Sequence, residues 1–169
     1  MLGLSVASVY LTEDRQIEAY ENKPVFAGLD KKINDVRHIT LQNNSNILEF
    51  YLDGDNWKLK GHEIFPVYQE RLRSFLSAML EAVYYEKKSD RGEDLGKFGL
   101  APLGVAGTRN IRIELQDADG NSLTAFNVGR YDLDVGRGAK AAYIKFDNRF
   151  QVWLIAADFI DLEPVWQNW

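Results

Sequence analysis

Residues 111–116, Ile-Arg-Ile-Glu-Leu-Gln, alternate apolar and polar side chains without a break. Only an extended strand puts every second residue on one face, so this run belongs to a sheet with one buried and one wetter side. The same period recurs along the chain. Leu48, Phe50 and Leu52 alternate with Glu49 and Tyr51, and Trp57 and Leu59 with Lys58 and Lys60. Ala142, Ile144 and Phe146 alternate with Tyr143 and Lys145. Further strands are expected over 36–42, near Phe126 and Val128, and over 150–155. Asn- and Asp-rich stretches at 43–46, 53–56, 117–121 and 147–149 supply the turns between them.

One stretch departs from this period. Leu72, Phe75, Leu76, Met79, Leu80 and Val83 recur at helical spacing, with Glu70, Arg71, Arg73 and Glu81 on the wet side. The spacing predicts a long helix over 66–86. Pro66 suits its first turn, Tyr84 and Tyr85 close it, and Lys87 and Lys88 favour its C-terminal end. The element order β-β-β-α-β-β-β-β implies an α+β fold: a mostly antiparallel sheet, made of a β-meander, the long helix and then β-hairpins, with the helix packed on one face.

With 169 residues, 46% of them apolar, the chain is long enough for one domain with a sizeable core. Its net charge of −5 argues against nucleic-acid binding, which needs a basic stripe. There are no cysteines, which removes disulfides, Cys-zinc sites and thiol catalysis. Residues 2–11 are apolar or small throughout, but a spanning helix needs about 20 apolar residues. Two readings of this run stay open: a first core element, or the outer end of a membrane anchor.

Several stretches invite a chemical reading. In VGRYDLDVGRGAK, residues 128–140, the glycines resemble a phosphate cradle. Lys140 is followed by Ala141 rather than Ser or Thr, and by a strand rather than a helix, so the helix end that meets a phosphate is missing. A wide hairpin loop, with Gly136 and Gly138 free to take positive φ, is the better reading. Asp117, Asp119, Gly120 and Asn121 resemble the start of a calcium loop, but strands flank them and no distal Glu comes in register. Asp53 and Asp55 fall under the same argument. His38 and His62 stand at no metal-ligand spacing. No Gly-x-Ser-x-Gly elbow starts a catalytic triad. No catalytic, metal or cofactor residue is therefore assigned. The aromatics Tyr84, Tyr85, Trp153, Trp166 and Trp169 and the loop cations Arg130 and Arg137 are the candidate interaction surface, since aromatics and Arg anchor interfaces.

A succession of short motifs carries a resemblance. VFAGLDKKINDVRHITLQ, GDNWKLKG, the helix region, SDRGEDLGKFGLAPLG, IELQDADGNSLTAFNVGR, AYIKF and QVWLIAADFIDL follow one another in order. In that order and spacing the chain resembles the domain-of-unknown-function family 4340, over residues 25–162. It departs at Ala27, where the family commonly has Pro, and at Ile64-Phe65-Pro66, where a Gly-Tyr-Pro-like start is usual.

The resemblance implies a context. Relatives carry an N-terminal membrane helix and repeated copies of the domain, and many are similar to auxiliary components of ABC-2-type transport systems. On that basis 1–24 is an N-terminal segment holding the remnant of an anchor. Residues 25–162 are a single α+β domain, and 163–169 are a C-terminal tail leading into a segment the chain lacks. The implied role is a non-catalytic accessory domain on the extracytoplasmic side of a bacterial inner membrane. Its partners would be envelope proteins such as transporter subunits, it would have no nucleic-acid partner and no cofactor, and its tether would be N-terminal. The alternative is a module binding a small ligand or envelope glycan in a groove between helix and sheet, lined by Trp or Tyr.

Overall fold

A computed structural model describes residues 21–131, 133–135 and 140–169. The alternating runs pair as strands. His38–Gln42 (β1), Ile47–Asp53 (β2) and Asn56–Leu59 (β3) form the first meander. A helix, Gln69–Glu81 (α1), follows, and then Val83–Lys87 (β4). Ile111–Gln116 (β5), Ser122–Val128 (β6), Leu133–Asp134 (β7), Lys140–Phe146 (β8) and Trp153–Ala156 (β9) complete the set. All nine strands among the described residues join one sheet in the order β3-β2-β1-β5-β6-β8-β9-β4, with β7 added to β8, and every pairing is antiparallel.

This overturns the expected α+β fold with a long helix. The sheet dominates, and the one α-helix among the described residues has 13 residues. It ends because Ala82 turns extended, at φ −61° and ψ 130°. Val83-Tyr84-Tyr85 then runs as a strand, as β-branched and aromatic residues favour. Backbone partners exist on both sides to receive it. β9 pairs with β4 on one edge. On the other, Val25 N donates to Ala82 O at 3.0 Å, Tyr84 N to Lys23 O at 2.9 Å and Asn22 N to Tyr84 O at 3.0 Å. Tyr84 and Tyr85 therefore lie in an edge strand and not at a helix end. Pro66 stands before the helix, outside its first turn.

One face of the sheet buries Ile39, Leu41, Phe50, Ile111, Ile113, Leu115, Phe126, Val128 and Ile144 with Leu72, Phe75 and Met79 of α1. After β9 the chain turns back over this core and inserts Phe159, Leu162 and Trp169. On the opposite face a 3-10 turn, Gly92–Phe98, and Leu100 pack on Val152 and Tyr143 at one end. Arg130 N donates to Phe98 O at 2.9 Å and fastens this flap to the end of β6. Gly136, Arg137 and Gly138 lie outside the described residues, as do residues 1–20. No helix among the described residues is long and apolar enough to cross a membrane.

Candidate functional site

The chain leaves β3 through Gly61, whose φ of +79° suits glycine. Two tight turns follow, with His62 N donating to Leu59 O at 3.0 Å and Phe65 N to His62 O at 2.9 Å. Ile64 and Phe65 stand out of this loop at 88% and 49% exposure, and Tyr68 at 66%. An apolar run that neither buries itself nor joins a strand is the unusual feature here, because single exposed apolar residues are ordinary but adjoining ones mark contact sites.

The opposite wall is the C-terminal turn. Trp169 O accepts from Tyr68 N at 2.6 Å, and the Trp169 indole N–H donates to Glu163 O at 3.0 Å. The indole is buried against Phe50 and Phe75, with ring centroids 5.6 and 6.5 Å away, and the Arg71 guanidinium lies 4.7 Å over it. Anchoring Trp169 inward presents Trp166 outward. His62 stacks on Trp166 at 4.6 Å and 16°, and Phe65 approaches it at 5.1 Å. Between the walls lies a cleft of 180 Å³ lined by Leu59, His62, Phe65, Tyr68, Trp166 and Gln167, among others. Glu63 follows His62 on this loop and is exposed. The Gly61 backbone N–H holds the Glu63 carboxyl below its usual range, with the residue's own N–H adding to the effect.

The expected surface residues separate into three places. Tyr84 and Trp153 meet at 4.7 Å on β4 and β9, with Tyr85 exposed beside them at the β4 bulge. Arg130 is a strut: its guanidinium donates to Lys97 O and lies 5.5 Å from the Tyr143 ring. Trp166 lines the cleft, but Trp169, 2% exposed, is core and not surface. Arg137 lies outside the described residues. Ile64, Phe65 and Tyr68 did not enter the sequence-based set. Ile64 and Phe65 stand just before the expected helix, where an Ile-Phe-Pro run reads as a turn, and Tyr68 fell within that helix.

Other polar clusters are structural in their wiring. Asp94 is buried in the flap and accepts from Ser89 Oγ at 2.6 Å, Arg91 Nε at 3.0 Å and Lys97 Nζ at 2.6 Å. On the open face Arg112 bridges Asp147 at 2.8 Å and Glu114 at 2.9 Å, and Asn127 holds the other Asp147 oxygen at 2.7 Å, in a shallow groove of 680 Å³. Asp117 Oδ1 accepts from the N–H groups of Asp119 and Asn121 at 2.9 and 2.8 Å, and with the Asn121 amide these pull its pKa down. The groove between α1 and β9, 610 Å³, is lined by Ser74, Ser77, Ala78, Glu81, Lys140 and Ala157, among others, with no aromatic residue. Among the described residues neither His38 nor His62 hydrogen bonds to a carboxylate. Burial pushes the Tyr131 phenol up to about 12; its oxygen accepts from Leu162 N at 3.2 Å and ties the end of β6 to the C-terminal segment.

Residues 57–169 match a family described as Domain of unknown function (DUF4340), a match beginning at Trp57 rather than at the expected residue 25 and running to Trp169. No curated protein and no solved structure matches the chain. The match covers more than half of the chain, and the chain belongs to this family.

Proposed function

We propose, on the premise of that membership, that this chain is a non-catalytic accessory domain that works by protein contact. It acts on the extracytoplasmic side of a bacterial inner membrane, as an auxiliary component of an ABC-2-type transport system. The observation that supports contact is the exposed cluster of Ile64, Phe65 and Tyr68 around the Trp166 cleft. Aromatic residues held rigidly at a surface supply binding energy at low entropic cost. The cleft wall is rigid because Trp169 pins it from inside. The ligand-binding alternative has less support, because the helix–sheet groove offers small and charged side chains instead of Trp or Tyr.

The test is co-purification of the chain with a tagged ABC-2 permease from detergent-solubilised membranes. Phe65→Ser with Tyr68→Ser is expected to lower recovery of the permease about tenfold or more, as loss of aromatic anchors does. Phe150→Ser, an equally exposed site elsewhere, should leave recovery unchanged. A permease that does not associate, or that associates equally with all three proteins, sinks the proposal.

A further inference from the structure

The flap lies on the crossing between β4, an end strand of the sheet, and β5 in its middle. Two points pin this crossing. On one side Ser89 O accepts from Val152 N at 2.7 Å. On the other, Ala101 O accepts from Thr108 Oγ1 at 2.7 Å and from Asn110 Nδ2 at 3.2 Å. Among the described residues, the hydrogen bonds that 90–100 make beyond these pins all go to Arg130. Its N–H donates to Phe98 O, and its guanidinium donates to Lys97 O.

The rest of the segment's polar wiring is internal. The Asp94 carboxylate gathers Ser89, Arg91 and Lys97, and Leu100 N donates to Leu95 O at 2.9 Å. Its apolar side chains also stand apart from the main core. Leu95 and Leu100 cluster with Val152, and Phe98 meets the Tyr143 ring at 5.0 Å. A few apolar side chains and one polar latch thus stand against the conformational entropy of a whole loop. Units with so few buried contacts open at lower free energy than the sheet beneath them.

We propose that residues 90–100 are a lid, hinged at Ser89 and Ala101 and latched at Arg130, that lifts as one piece from an intact sheet. Asp94 keeps it in one piece by tying its turn to both flanks. Lifting bares Val152 and Tyr143, on which Leu95, Phe98 and Leu100 rest, and the backbone at Gly129, against which the Phe98 carbonyl is packed. The lid is independent of the Trp166 cleft and of the contact reading above.

The chain has no cysteine, so Val152→Cys puts a unique thiol beneath the lid. Val128→Cys, equally buried in the main core, is the control. The thiol under the lid should react with a labelling reagent about a hundredfold or more faster than the control, at a rate flat in urea below the unfolding transition. Adding Arg130→Ala, which removes the bond to Lys97 O, should speed that labelling at least about threefold. Amide exchange on the parent protein reads the same motion with no substitution. Arg130 N–H, released from Phe98 O, should exchange without dependence on low urea, while the amides of β5 wait for global unfolding. Leu100 N–H, bonded inside the lid, should be slower than Arg130 N–H. If a cysteine variant fails to fold, exchange on the parent decides alone. Equal, steeply urea-dependent labelling of the two thiols, or an Arg130 amide as slow as those of β5, overturns the lid. Labelling unchanged by Arg130→Ala overturns the latch, and a Leu100 amide as fast as that of Arg130 overturns motion as one piece.

Discussion

The Gln69 carboxamide stands in for a missing strand at Trp57. Its Oε1 accepts from the Trp57 N–H at 2.8 Å, and its Nε2 donates to the Trp57 carbonyl at 2.9 Å. A terminal strand normally leaves such groups open to solvent or to another chain. Here the first residue of α1 closes the ladder, so helix and sheet edge are tied by one side chain. Gln69→Leu leaves both groups unpaired at a half-buried position and should cost about 1–3 kcal/mol. Gln69→Glu keeps the acceptor, loses the donor and should fall between. Urea midpoints compare the three proteins, and a Leu variant as stable as the parent would remove this role.

A glycine in the stretch that looked like a phosphate cradle has a packing reason of its own. A Cβ on Gly129 would lie 2.2 Å from the Phe98 carbonyl oxygen and 2.9 Å from Leu100 Cγ. The flap at 92–100 rests directly on the backbone at the end of β6, and only a residue without a side chain fits beneath it. Gly129→Ala must push the flap away, at the 1–3 kcal/mol typical of overpacking, so Tm should fall on the order of 3–10 °C. Faster amide exchange at Arg130, whose N–H bonds to Phe98 O, would locate the damage.

The strands were legible in the sequence because their signal is local: a period of two needs no partner to be seen. The end of the helix was not. Val83 and Tyr84 continue an apolar pattern that suits either structure, and the choice is made by β9 and by Asn22–Val25, which lie far away in sequence. Gly129 was legible as a glycine but not as a necessity, since Phe98 reaches it only in the folded chain. The cleft was half legible. Trp166 was in the expected set, whereas the inward turn of Trp169 depends on a core pocket beside Phe50 and Phe75. Ile64 and Phe65 stand just before the expected helix, and nothing local in the sequence says that the folded loop leaves them uncovered.

Asp94 gives the flap an acid limit. The hydrogen bond from Lys97, then that from Ser89, with Arg91 adding to both, holds its carboxyl well below the usual carboxylate range despite burial. A depressed folded-state value means the stabilisation is complete above the unfolded value of about 4 and drains as pH falls below it. Asp94→Asn cannot titrate there. Its deficit against the parent protein should be full at neutral pH and shrink steadily below about pH 4, in a series of urea melts. A deficit constant across the acid range would show that the charge is not what holds the flap.

Trp166 and Trp169 are three residues apart and should respond oppositely to truncation. Trp169 is buried between α1 and the sheet, touching Phe50, Phe75 and Arg71, with its indole N–H on Glu163 O. Trp169→Ala opens a cavity under the cleft and should cost about 3–5 kcal/mol. Trp169→Phe keeps a ring but loses the N–H bond and some volume, and should cost nearer 1–2 kcal/mol. Trp166 is half-buried, stacked on His62 and Phe65 and touching the rim of the core, so Trp166→Ala should cost clearly less than Trp169→Ala, about 1–2 kcal/mol, while weakening association with the permease. Denaturation and binding measured on the same proteins separate the two residues. If Trp166→Ala proved as destabilising as Trp169→Ala, the cleft would be part of the core and not a site for a partner.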